Sequence, residues 1–195
     1  MTLAELRARL KEALNGRERR WSRPKGLVPA AVLILVVERD GDLTVVFTKR
    51  TDRVAHHKGQ FSFPGGTIEP EDPSEEAAAL REAQEEVGLD PGDVEVLGLL
   101  DDQGGRAAPF VITPVVGLAT RPVAFKLDRD EVERVLEVPL SFLIDPSHCR
   151  TEIWERDGEY YPIHFFEYEQ DVIWGVTGRI LRRFLDLVAG SEEAE

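Results

Sequence analysis

The segment that most constrains this chain is Ala30-Ala31-Val32-Leu33-Ile34-Leu35-Val36-Val37, closed by Glu38. It is apolar and rich in β-branched residues, and it does not alternate with polar positions. A strand that is apolar at every position has to be covered on both faces. Residues 30–38 are therefore read as a central strand with layers on either side. Asp40-Gly41 is a hairpin signal, and Leu43 to Lys49 is the returning strand.

The covering layers are legible as helices. Leu3, Leu6, Leu10 and Leu14 fall at helical spacing over residues 2–14, and Asn15-Gly16 stops them. Residues 74–87 form a second helix between Ser74, a good N-cap, and Gly88, a good C-cap. Residues 171–188 form a third, with Ile173, Val176, Ile180, Phe184 and Leu187 on one stripe and Gly190 as its stop. Further strands are expected at 94–100, 110–119 and 123–126, and a short helix at 129–136. Asp157-Gly158 reads as a hairpin turn between Ile153–Glu155 and Tyr160–Phe166, whose aromatic side chains are expected to lie mostly in the core. The organisation is a helix and basic linker over 1–25, one domain over 26–190 and an acidic tail over 191–195.

Composition narrows the function. Twenty-four Lys and Arg face 37 Asp and Glu, a net charge of −13, and a nucleic-acid binder needs the opposite surplus. The single Cys149 excludes a disulfide framework. The longest apolar run, Leu27 to Val37, is 11 residues, too short to span a bilayer. The first residues carry Glu5, Arg7 and Arg9, so they read as an amphipathic helix and not a signal peptide. A cytoplasmic protein with no membrane partner is expected. No sequence feature sets its oligomeric state.

The chemistry is concentrated at 65–88. Glu82, Glu85 and Glu86 stand at i, i+3 and i+4, so they share one side of the helix 74–87. They also occupy its last turns, where the helix dipole disfavours anions. Arg81 reaches Glu85 at i+4, but one guanidinium does not balance three carboxylates. A hard divalent ion with oxygen ligands does, and Mg²⁺ is the natural candidate. Gly65 and Gly66, just upstream, let backbone approach an ion and its phosphate ligand. Residues 49–58 hold Lys49, Arg50, Arg53 and Lys58 against Asp52, a net of +3, whereas residues 69–86 hold eight acids against Arg81. A basic segment that feeds an acidic helix suits a multiply phosphorylated substrate with a metal.

With Gly65-Gly66 followed by Arg81-Glu82-x-x-Glu85-Glu86-x-Gly88, the chain resembles the Nudix hydrolases. A chance match to that composite is on the order of one in a million. The family pattern is Gly, five residues, Glu, seven residues, Arg-Glu-(apolar)-x-Glu-Glu-x-Gly-(apolar). Here it runs from Gly66 to Leu89, with Asp72 at the first Glu and eight residues between Asp72 and Arg81. Upstream, Val46-Phe47-Thr48-Lys49-Arg50 and Gly59-Gln60-Phe61-Ser62-Phe63-Pro64-Gly65-Gly66 resemble the extra motif of the coenzyme A pyrophosphatase branch. Ala55 stands where that motif has its second Arg.

The resemblance implies an α/β fold, the Nudix α/β/α sandwich with a mixed β-sheet and the Nudix loop-helix motif. It implies hydrolysis of coenzyme A, or an acyl derivative, to 3′,5′-ADP and 4′-phosphopantetheine, with Mg²⁺ or Mn²⁺. Glu82 and Glu86 are the first-choice metal ligands, with Glu85 a third and the Gly66 carbonyl completing the shell. Arg81 orients the carboxylates. Lys49, Arg50, Arg53, Lys58 and Phe63 are the substrate-binding candidates. The general base is Glu82, Glu131 or Glu133. Two alternatives stay open: a Nudix hydrolase of ADP-ribose, dinucleotides or dinucleoside polyphosphates, and a Nudix-fold module that senses a nucleotide without cleaving it.

Overall fold

The computed structural model describes residues 1–20, 26–51, 59–104, 109–156 and 158–190. Within them the central strand is β1 (Val28–Arg39), and its side chains divide between two cores. Ala31, Leu33, Leu35 and Val37 point into one. Ile34 and Val36 point into the other. Asp40 and Gly41 both have positive φ, 51° and 87°, as the tight hairpin to β2 (Asp42–Arg50) requires. Strand β7 (Phe110–Ala119) runs parallel to β1 along one edge, while the other ladders are antiparallel, so the sheet is mixed.

The opposite edge of β1 is shared. Its end, Val36–Arg39, pairs with β2, and its beginning, Ala30–Val32, pairs with β4 (Gly65–Thr67). Beyond Val45, β2 leaves β1 and pairs instead with β3 (Phe61–Ser62). The strands part there, and the segment Phe61–Thr67 is laid into the opening. This places the two glycines in the middle of the sheet.

One face of the sheet is covered by α2 (Glu75–Val87), which buries Ala78, Ala79, Ala83 and Val87 against β1. The other face is covered by α1 (Leu3–Asn15) and α4 (Gly175–Ala189). Thr2 and Glu5 form a reciprocal capping box at the start of α1. Leu6, Leu10 and Leu14 lie in the same core as Ile34 and Phe184, so the N-terminal helix is built into the domain that the sequence places over 26–190. No helix among the described residues is long and apolar enough to cross a membrane.

Four sequence expectations are corrected. Residues 129–136 are not helical: β8 (Val132–Pro139) pairs along β2 from Thr44 to Arg50. Its apolar residues fit either period over so short a span, and the available edge of β2 decides. Residues 123–126 make no ladder. Lys126 N–H donates to the Val87 carbonyl and Asp128 N–H to the Glu86 carbonyl, so this segment covers the end of α2. Residues 171–173 are strand β11 and not the start of the last helix, and they pair with β10 (Glu159–Tyr168), which pairs in turn with β9 (Cys149–Arg156). In that small sheet Trp154 and Tyr160 are exposed and not core. The helix α3 (Leu140–Ile144) and strands β5 (Val94–Leu99) and β6 (Gln103–Gly104) complete the fold.

Candidate active site

The site forms because α2 is anchored at both ends. The Ser74 side chain accepts from Ala77 N–H at the start. Gly88, at φ 69°, turns the chain away at the end. The alanines on the buried face bring the helix axis close to β1. The opposite face, with its glutamates, then lies beside the Gly65-Gly66 strand. The bonds from residues 126 and 128 to the last carbonyls of α2 also bring the following turn, with Glu131, to the same end.

Arg81 organises the outer carboxylates. Its Nε and Nη2 donate to the two oxygens of Asp72, each at 3.0 Å, a bidentate pair. Nη1 donates to Glu82 and to Glu85, each at 3.0 Å, and Nη2 also donates to the Thr67 carbonyl at 3.0 Å. Asp72 in turn accepts from Glu69 N–H at 2.8 Å. The Arg81 hydrogen bonds hold the Asp72 carboxyl below its usual range, and the Asp72 bonds hold the guanidinium more firmly protonated. Asp72, which replaces the family's usual Glu, therefore still does a carboxylate's work: it fixes Arg81.

Glu86 is the buried member, 2% exposed. It accepts from Gly65 N–H at 3.2 Å and from Arg50 Nη1 at 3.4 Å. Burial pushes its carboxyl up to about 8, against the opposing pull of Arg50 and the Gly65 N–H. Burial also raises Glu82, with Arg81 opposing. Arg50 Nη2 lies 3.9 Å from Glu131, which thus stands across the guanidinium from Glu86. Thr51 N–H donates to the Glu131 carbonyl at 2.9 Å and ties that turn to the end of β2.

The sequence candidates divide accordingly. Arg81, Glu82, Glu85, Glu86, Gly66 and Arg50 come together around α2 and β4. Glu85 sits at the exposed margin, and Glu86 lies at the buried floor. Lys49 donates to Glu133 at 2.9 Å, so Glu133 is drawn to a cation beside the cluster, whereas Glu131 faces into it. Phe63 is a correction. Its ring is 2% exposed and lies 4.9 Å from the ring of Phe47, inside the core where no substrate reaches. The apolar ring is worth more buried there than at a wet cleft. Arg53 and Lys58 lie outside the described residues. The Arg50–Glu86 contact joins residues 36 apart, and the sequence carries no periodicity that signals it.

Among the described residues, no three acidic, imidazole or thiol side chains stand converged as a finished metal cage. The donor set nonetheless suits a hard divalent ion. It offers only carboxylate and carbonyl oxygens, as Mg²⁺ prefers. Glu86 is buried at a cost that a cation would offset. A Cβ on Gly66 would stand 2.5 Å from the Glu82 carboxyl, so only glycine leaves that oxygen a clear approach to the backbone.

Comparison with known proteins agrees with this geometry. The NUDIX domain family matches residues 17–143. Nudix hydrolase 22, chloroplastic, of Arabidopsis thaliana is 40% identical over 173 residues, which cover 85% of this chain and 56% of that protein. The Nudix hydrolase NudL of Photorhabdus laumondii is 35% identical over 162 residues, covering 82% of this chain and 84% of the relative. The chain thus spans just over half of the plant relative and most of the bacterial one. Among solved structures, the Nudix hydrolase RenU of M. smegmatis superposes with a TM-score of 0.58 at 17% identity, covering 89% of this chain and 93% of that one. A C. elegans Ap4A hydrolase superposes with a TM-score of 0.55, also at 17% identity, covering 84% and 99%. At such identities the two structures speak for the fold alone.

Proposed function

The chain belongs to the Nudix hydrolase family, and from that premise we propose that it hydrolyses the pyrophosphate of coenzyme A or an acyl derivative with a divalent metal. The observation that carries this reading is where the two described ends of one motif lie. Thr48-Lys49-Arg50 ends β2, Phe63-Pro64-Gly65-Gly66 enters β4, and Arg50 reaches Glu86 of α2. Arg50 and Gly65, from the two described ends of the motif that resembles the coenzyme A branch, both contact Glu86, and this supports the reading.

Glu82 and Glu86 would hold Mg²⁺ or Mn²⁺, with Glu85 and the Gly66 carbonyl in support. When bound, the metal withdraws charge from the bridging oxygen and acidifies a water. Arg81, fixed by Asp72, keeps Glu82 and Glu85 aimed to one side. Arg50 and Lys49 meet the phosphates. A carboxylate takes the proton of the attacking water while the bridging P–O bond breaks. Glu131 is our preferred base, with Glu82 second, because Glu133 is engaged by Lys49. The products are 3′,5′-ADP and 4′-phosphopantetheine or its acyl form.

The test is a panel of coenzyme A, ADP-ribose, NADH and diadenosine polyphosphates, each with Mg²⁺ and with Mn²⁺. Coenzyme A should give the highest kcat/KM. Faster turnover of ADP-ribose or a dinucleotide would move the assignment to the wider Nudix group. Nucleotide binding without any cleavage would indicate a sensing module. In the same assay Glu86→Gln, which keeps shape and loses charge, should reduce kcat by at least ~10²-fold.

A further inference from the structure

The two arginines of the site are held very differently. Arg81 makes five hydrogen bonds, to Asp72, Glu82, Glu85 and the Thr67 carbonyl, each at 3.0 Å. It is pinned. Arg50 touches Glu86 at 3.4 Å and Glu131 at 3.9 Å, both long for a charge-assisted contact, whose usual length is about 2.7–2.9 Å. It lies at the end of β2, where the ladder with β8 shifts register between Lys49 and Arg50. Its guanidinium therefore sits loosely between two carboxylates, one of them sealed from water.

A sealed carboxylate needs a cation or a proton at all times. In the absence of metal, Arg50 is the cation in contact with Glu86 among the described residues. A divalent ion bound to Glu86 makes the guanidinium redundant and repels it. Arg50 is tethered at the strand end and its guanidinium contacts only Glu86 and Glu131 among the described residues, so it then has a planar fork of donors to offer an incoming phosphate.

We propose that Arg50 is an exchangeable counter-ion: in the metal-free protein it holds the place beside Glu86 where a cation is needed whenever that carboxyl is ionised, yields that place to the divalent ion, and then binds the substrate's pyrophosphate oxygens. This rests on the metal-dependent pyrophosphatase reading and adds to it an order of events, with metal before a competent substrate site. Arg50 competes with the metal and serves the substrate, so its removal should move the two affinities in opposite directions. A residue that merely supports the fold would weaken both.

Calorimetric titration of metal-free protein with Mn²⁺, without nucleotide and at one fixed pH, reads the first half. Arg50→Gln should bind Mn²⁺ about tenfold more tightly than the native protein, the size expected for loss of one charged competitor. Lys49→Gln removes the same charge one residue away, from a side chain held by Glu133, and should change Mn²⁺ affinity by less than about twofold. At saturating metal, the KM of Arg50→Gln for coenzyme A should rise about tenfold or more. Unchanged or weaker Mn²⁺ binding in Arg50→Gln would overturn the exchange. Coenzyme A turnover retained in the native protein would then leave the pyrophosphatase reading standing. A measurement on the native chain guards against a variant that fails to fold. With ¹⁵N-labelled arginine, the Arg50 Nε–H resonance, assigned by its absence in Arg50→Lys, should shift when Mg²⁺ is added without substrate. A resonance that stays in place contradicts the proposal.

Discussion

Glu86 sets the electrostatic character of the site, because among the described residues it is the one carboxylate sealed between α2 and β4. Its pH behaviour follows from burial. Below about pH 4.5 the side chain is neutral whether folded or unfolded, and burial costs nothing. Between there and its folded value of about 8, the unfolded chain releases the proton and the folded chain keeps it. The folded state then binds more protons, so stability falls as pH rises, by at most about 1.4 kcal/mol per pH unit, and levels off above 8. Glu86→Gln does not titrate. In EDTA, the stability of this variant relative to the native protein should therefore increase steadily from pH 5 to pH 8, as read by urea unfolding at each pH. Saturating Mg²⁺ at pH 8 should bring the native protein back up. A difference that stays constant over this range would mean that Arg50 keeps Glu86 ionised throughout.

At the scale of elements, the structure turns on which segments find an edge or a face to cover. Leu10 of α1 is fully buried in the core shared with β1 and α4. Leu10→Ala should cost about 2–4 kcal/mol, measured by chemical denaturation, while kcat per folded molecule stays native, since α1 lies on the face opposite α2. A loss under about 1 kcal/mol would show that the helix is only loosely docked. The sequence made β1 and α2 legible because their signals are local: an unbroken apolar run, an N-cap Ser74, a C-cap Gly88 and glutamates at helical spacing. Residues 129–136 misled because Val132, Val135 and Leu136 satisfy the helical period while Val132 and Leu136 also fit the alternation of a strand, and only the open edge of β2 selects a strand. The site divides in the same way. Arg81, Glu82, Glu85 and Glu86 could be read from one helix. The Asp72–Arg81 fork, the Arg50–Glu86 contact and the approach of Glu131 depend on where β2 and the 128–131 turn are carried by the sheet. Phe63 shows the converse: a motif position next to the glycines suggested a ligand contact, but its ring completes the core behind them.

For the whole molecule, the question is how a chain of net charge −13 would accept the proposed substrate, which is itself strongly anionic. The described site sets Asp72, Glu82, Glu85, Glu86 and Glu131 against Arg81 and Arg50, and Arg81 is already committed to three of those acids. Two like charges 4 Å apart repel by roughly 4 kcal/mol at an effective dielectric of 20. Without metal, then, a pyrophosphate meets a field of its own sign, and with one or two divalent ions on the glutamates the local sign inverts. Affinity, and not only rate, should therefore depend on the metal. 3′,5′-ADP, the product expected of the proposed reaction, lacks a pyrophosphate and would not be turned over, so its binding can be titrated calorimetrically with Mg²⁺ present and again in EDTA. We expect at least ~100-fold weaker binding in EDTA, the equivalent of about 2.7 kcal/mol, and the same direction for coenzyme A in EDTA, where no hydrolysis occurs. Raising the salt concentration should weaken the Mg²⁺-dependent binding only modestly, because the decisive charges are partly buried and poorly screened. Tight binding of coenzyme A in EDTA would remove the electrostatic argument and make a nucleotide-sensing module the better description of the site.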